Sequence, residues 1–116
     1  MKRLRLQRVR ELLKREIGEL IRRQFPVSEF GLMTVNAVEI TADLKSATVY
    51  VGILGPADRQ TRSLLSLKEH RNQIQEQVGR DVALKNTPRL RFVLDDSIER
   101  GNRVLSIIDE IERSSS

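Results

Sequence analysis

The sequence predicts an α+β domain in which helices cover one face of a three-stranded sheet. Three observations carry that prediction. An apolar stripe of helical period opens the chain, three short segments alternate apolar and polar residues, and two helical stretches lie between the second and third of those segments. The 116 residues suffice for one domain with one modest core.

Each element follows from its pattern. Residues 4–24 read as an amphipathic helix, because Val9, Leu12, Leu13, Ile17, Leu20 and Ile21 recur at steps of three and four. Pro26 ends it, since a proline pushes the preceding residue out of the helical region. Residues 27–33 are expected to form a loop. Residues 34–41 read as a strand whose apolar parity changes between Ala37 and Val38, which fits either a bulge or burial on both faces. Asp43, Leu44 and Lys45 supply a turn. Residues 46–54 form the clearest strand, with Ala47, Val49, Val51 and Ile53 on one side. The two strands are close enough to pair as an antiparallel hairpin.

Gly55 and Pro56 break the pattern, and Asp58 is placed to cap a helix over 58–69. A further helix spans 71–80, with Gly79 as its end signal. Between them His70, Arg71 and Asn72 fit a kink, in which Asn72 adopts the left-handed conformation, or one unbroken helix. Residues 89–94 alternate again, with Leu90, Phe92 and Leu94 inward and Arg89 and Arg91 outward. Ser97 opens a last helix striped by Val104, Ile107, Ile108 and Ile111, and Ser114–Ser116 form a frayed tail.

Composition removes whole classes of chemistry. There is no Cys and a single His, His70, so thiolate zinc, iron–sulfur and multi-histidine sites are excluded. No apolar run approaches the roughly 18 residues of a membrane span. Residues 1–23 carry three Glu and no Ser, unlike a transit peptide, and are read as part of the folded domain. Phosphate-loop and dinucleotide glycine motifs are missing. Asp95 and Asp96 are strand neighbours that point to opposite faces, a poor acid–base pair. The chain is therefore not expected to be an enzyme or to hold a cofactor or metal. Gly52-Ile53-Leu54-Gly55 matches the GxxG backbone clamp of KH domains, but it ends a strand instead of joining two helices.

Charge points to a polyanion. The net charge is +5, with +6 concentrated in residues 1–23, a smaller excess over 24–94 and −4 over 95–112. Lys68 and Arg71 flank the junction between the two central helices, where a phosphate clamp of the KH kind belongs. The aromatic residues are Phe25, Phe30, Tyr50 and Phe92 alone, too few to stack a series of bases.

Several ordered pieces resemble the bacterial ribosome-binding factor A family. They are Arg5-Leu6-Gln7-Arg8-Val9, then Leu13, Glu16 and Ile17, then Gly31-Leu32-Met33-Thr34-Val35, Val38-Glu39-Ile40-Thr41 and Asp43-Leu44. Ala47 and Val49-Tyr50-Val51 follow, and then Pro88-Arg89-Leu90-Arg91-Phe92, Asp95, Asp96, Ser97, Gly101, Arg103 and Val104. The resemblance implies a type II KH-like fold of order helix-strand-strand-helix-helix-strand-helix. Residues 1–113 would be a single KH-like RNA-binding domain. The family's Ala-x-Gly kink falls at His70-Arg71-Asn72, where this chain has His for Ala and Asn for Gly. The segment Pro26–Phe30 also departs from the family's acid-proline-arginine pattern.

The resemblance further implies a role in late assembly of the small (30S) ribosomal subunit. The partners would be the free immature subunit and its 16S ribosomal RNA, with an assembly GTPase releasing the factor. Maturation of the RNA 5′ end, support of growth in the cold, a bacterial cytoplasm or organelle interior, a monomeric state and no membrane partner complete the expectation. The RNA-binding residues expected are Lys68, Arg71 and Asn72 at the junction, Arg80, Lys85 and Arg89 toward the third strand, and Arg3, Arg5 and Arg8 in the first helix. Two other readings stand beside this one: a general KH-like RNA chaperone without ribosome specificity, and a protein-interaction module.

Overall fold

The computed structural model describes residues 2–82, 84 and 86–95. In chain order these form α1 (Lys2–Gln24), α2 (Val27–Phe30), β1 (Met33–Ile40), β2 (Ser46–Ile53), α3 (Ala57–Glu69), α4 (Arg71–Asp81) and β3 (Arg89–Leu94). The expected helix beyond Ser97 and the serine tail lie outside the described residues.

The sheet order is β1-β2-β3. Strands β1 and β2 are antiparallel, as a short turn requires, and β2 and β3 are parallel, joined through α3 and α4. Alternation sorts each strand between two faces. Ala47, Val49, Val51 and Ile53 of β2 and Leu90 and Phe92 of β3 are buried beneath the helices. Helix α1 adds Val9, Leu13, Ile17, Leu20 and Ile21, α3 adds Leu67, and α4 adds Ile74 and Val78. The other sheet face carries polar side chains, including Glu39, which accepts a hydrogen bond from the Tyr50 hydroxyl at 3.0 Å.

The parity change in the first strand is a bulge. Val35 faces Val51 and Ala37 faces Tyr50, so Asn36 is the extra residue. Its side chain is put to use: Nδ2 donates to Asp95 Oδ2 at 2.8 Å, and Oδ1 accepts from the Thr34 hydroxyl at 2.8 Å. Asn36 passes over Gly52 to do so, and a Cβ at Gly52 would lie 2.7 Å from Nδ2. The glycines of the GxxG segment thus serve strand and turn geometry. Gly55 has φ 138°, and a Cβ there would meet Arg59 Cδ at 2.9 Å.

Three local expectations are corrected. Residues 27–30 form a short helix instead of loop, because Pro26 both ends α1 and accepts from the Glu29 and Phe30 amides at its own carbonyl. Pro56, not Asp58, is the N-cap of α3, and Asp58 falls in its first turn. Gly79 lies inside α4, where Thr87 packs against it with its hydroxyl oxygen 3.1 Å from a Cβ position, and the helix runs on to Asp81.

The β1–β2 turn places Leu44 at φ 61° and is held by Asp43. The Thr41 hydroxyl donates to Asp43 Oδ1 at 2.6 Å and the Lys45 amide to the same oxygen at 3.0 Å. The Thr41 bond first, and then the Lys45 amide, hold this carboxyl below its ordinary 3.8. A carboxylate with a depressed folded-state pKa stabilises above its unfolded value, and the effect is lost as pH falls through the folded value. Asp43→Ala is therefore expected to lower the thermal midpoint at pH 7. The gap to the unsubstituted chain should narrow as pH falls below the carboxyl's ordinary 3.8, as melts across that range will measure.

Candidate nucleic-acid interface

The break between α3 and α4 is the feature that gathers charge. Helix α3 ends at Glu69, α4 begins at Arg71, and His70 alone separates them at φ −94°, ψ 9°. The chain is interrupted here without a left-handed residue: Leu44 is the one non-glycine with positive φ among the described residues, and Asn72 is helical. The His70 amide still bonds to the Ser66 carbonyl at 3.0 Å, and its own carbonyl accepts from Ile74 at 3.0 Å. Its ring Nδ1 lies 2.8 Å from the same Ser66 carbonyl. The ring also meets Phe25 edge-on, with centroids 5.6 Å apart, which ties the break to the end of α1. Phe25 in turn stacks edge-on with Phe30 at 5.1 Å.

Beside the break lies a cleft of about 420 Å³ between the helix junction and the first residues of β2 and β3. Lys68 from α3, Arg71 from α4, and Arg89 and Arg91 from β3 line it, with Ser46 and Thr48 from β2. No acidic residue among the described residues lines it. Arg71 is half-buried and donates to the Asn72 side-chain oxygen, which fixes the guanidinium at the mouth. Four cations and two hydroxyls, with no counter-charge among the described residues, are suited to an anionic chain, and phosphate oxygens accept from every donor present.

Of the residues expected from sequence, Lys68, Arg71 and Arg89 come together here, with Asn72 adjoining Arg71. Arg5 and Arg8 are exposed on α1, where Arg8 lines a separate shallow groove, and Arg3 lies in the same helix. Arg80 is exposed on α4 and donates to Gln77 at 3.0 Å. Lys85 lies outside the described residues. Arg91 belongs to the cleft and was not among the expected residues. Its outward parity was readable, but the position of the helix junction opposite β3 was not.

The β3 wall is anchored by Gln75. From α4 its Nε2 donates to the Pro88 carbonyl at 2.7 Å and its Oε1 accepts from the Leu90 amide at 2.8 Å. The side chain thus occupies the outer edge of β3 as a strand would.

The element order, the mixed sheet and the cationic helix junction define a type II KH-like domain. The chain belongs to the ribosome-binding factor A family, whose model matches residues 5–108. It is 38% identical over 106 residues to ribosome-binding factor A of Opitutus terrae, covering 91% of this chain and 86% of that one. The fold matches the crystal structure of ribosome-binding factor A from Thermus thermophilus with a TM-score of 0.67 at 26% identity, covering 77% of this chain and 94% of that one. It also matches the Thermus thermophilus ribosome-binding factor A model fitted into the cryo-electron microscopy map of its 30S complex. There the TM-score is 0.61 at 26% identity, over 71% of this chain and 86% of that one.

Removing the anchor tests how far the cleft depends on it. Gln75→Ala strips the Leu90 amide and Pro88 carbonyl of a partly buried partner, at an expected cost of about 1–3 kcal/mol. Urea denaturation measures the loss, and amide exchange at Leu90 should accelerate.

Proposed function

We propose that this chain is a non-catalytic assembly factor of the small ribosomal subunit. It binds the immature 30S particle through 16S ribosomal RNA and helps the 5′ region of that RNA reach its processed, folded form. The observation that carries this reading is the cleft bearing Lys68, Arg71, Arg89 and Arg91, lined by no acid among the described residues. Family membership supports it, as does the structural likeness to a member fitted into a 30S complex.

The cleft acts on backbone geometry more than on base identity. Cations on three elements, α3, α4 and β3, hold phosphates in one spatial arrangement, and sparse aromatics leave little for base-by-base stacking. The work is then a population shift: the RNA arrangement that brings phosphates into the cleft is favoured over one that does not. Moving a balance from mostly misfolded to mostly folded needs about 5.5 kcal/mol of differential affinity. Several charge-assisted contacts made in one arrangement alone supply a term of that size. Misfolded helices rearrange slowly when cold, so the contribution is greatest at low temperature. The factor works as a monomer in a bacterial-type cytoplasm, and an assembly GTPase releases it.

Co-sedimentation with immature and mature small subunits over a salt series tests the proposal, with large subunits and naked 16S RNA as controls. Salt-sensitive binding that prefers immature small subunits is expected. Equal binding to naked RNA would instead make the protein a general RNA chaperone. Replacing both Arg71 and Arg91 with Ala should reduce the slope of log affinity against log salt by about two units, since each phosphate contact contributes roughly one. An unchanged slope in a folded double variant removes these residues from the interface.

A further inference from the structure

The geometry points to a second binding surface on this chain: a groove along the outer edge of β1 that takes an extended, acidic peptide segment as an added strand.

The two edges of the sheet are treated differently. On the β3 edge the Leu90 amide is already satisfied by Gln75. On the β1 side no further strand pairs among the described residues. The Leu54 amide donates to the Leu32 carbonyl at 2.9 Å, which makes Leu32–Leu54 and Thr34–Gly52 the hydrogen-bonded pairs. In an antiparallel ladder the residues between them, Met33 and Val35, turn their N–H and C=O groups outward. Both line a groove of about 410 Å³ whose opposite wall is α1.

That wall is basic and contains an unexplained glycine. Lys14, Arg15 and Arg22 line it against a single acid, Glu11. Arg15 keeps 66% of its side-chain surface exposed despite a 3.6 Å contact with Glu16. Gly18 sits between these cations in the middle of α1, where glycine weakens a helix. Among the described residues packing does not demand it, because a Cβ there would find only Arg22 Nη2, at 3.9 Å. A glycine that the described packing does not need, on the wall of a groove facing a strand edge that no described strand pairs, leaves room for another backbone to approach.

The occupant follows from the donors and acceptors. A strand edge offers N–H and C=O groups alternately, and a peptide answers both. A nucleic-acid backbone brings phosphate acceptors and leaves the carbonyls of Met33 and Val35 unanswered. The three cations then select carboxylates on the peptide's side chains.

The test uses the full chain and a fluorescent peptide of alternating Glu and Thr, about eight residues long so that its middle can pair with the edge at Met33 and Val35. Comparators are the Lys/Thr peptide of equal length, a Glu/Thr peptide with proline at alternate positions, and a single-stranded RNA oligonucleotide. Anisotropy should register the Glu/Thr peptide and neither peptide comparator. Amide exchange at Met33 and Val35 should slow when it binds. Gly18→Leu fills the groove, and Lys14→Glu with Arg22→Glu reverses its charge. Each is expected to weaken binding about tenfold or more. The charge variant keeps the test intact should Gly18→Leu misfold. Equal binding of the proline peptide, unaltered exchange at Met33 and Val35, or absence of peptide binding overturns the inference. So does RNA binding that both sets of substitutions abolish while peptide binding persists.

Discussion

The parallel pairing of β3 with β2 is the constraint on which the rest of the structure depends. A strand that runs parallel to its neighbour starts at the same end of the sheet, so the chain must cross back between the two. Here α3 and α4 make that crossing in two segments, and their junction falls opposite the first residues of β2 and β3. Charges far apart in the sequence are gathered by this route alone. Lys68 and Arg71 sit near the turning point of the crossing, and Arg89 and Arg91 sit where it delivers the chain into the sheet. The cleft is a product of topology, and its cations need no local motif.

The packing that holds the crossing in place is shared between an apolar layer and a few directed bonds. Leu67, Ile74 and Val78 press the two helices onto Leu90 and Phe92. Directed contacts then fix what apolar burial leaves free to slide. Ser63 donates from α3 to the Phe30 carbonyl at 2.7 Å, and Gln60 holds the β2–α3 turn through the Ile53 and Gly55 carbonyls. Gln75 and His70 do the same for β3 and for the helix junction. The side chains of Lys68, Arg71, Arg89 and Arg91 make none of these directed bonds, so the charge of the surface can vary while the bonds that frame it stay in place.

Strands of period two and a long helix of period 3.6 were legible in the sequence because each buries one face. Ala47 to Ile53 and Leu90 to Phe92 have the alternation that the structure shows. Ambiguity remained where one residue served two neighbours. Pro26 reads as a stop signal, yet it also begins a four-residue helix. Asn36 gives no sign in sequence of being the bulged residue, because its role depends on Gly52 and Asp95, 16 and 59 positions away. The helix break at His70 carries no glycine, and what positions it is Phe25, 45 positions earlier. For the candidate site, residue type and parity could be read for Lys68, Arg71 and Arg89. Their company, and the addition of Arg91, required the three-dimensional crossing.

The bulge at Asn36 has a consequence for solubility. An open strand edge is a template on which identical chains stack, and proteins blunt such edges with irregularities and charge. The extra residue interrupts the repeat of β1 after Val35, so the regular outer edge before it is only a few residues long. A short guest fits beside it, whereas a second copy, bent at the same point in the opposite direction, cannot match it along its length. One inserted residue thus separates a surface that receives a partner from one that seeds self-association.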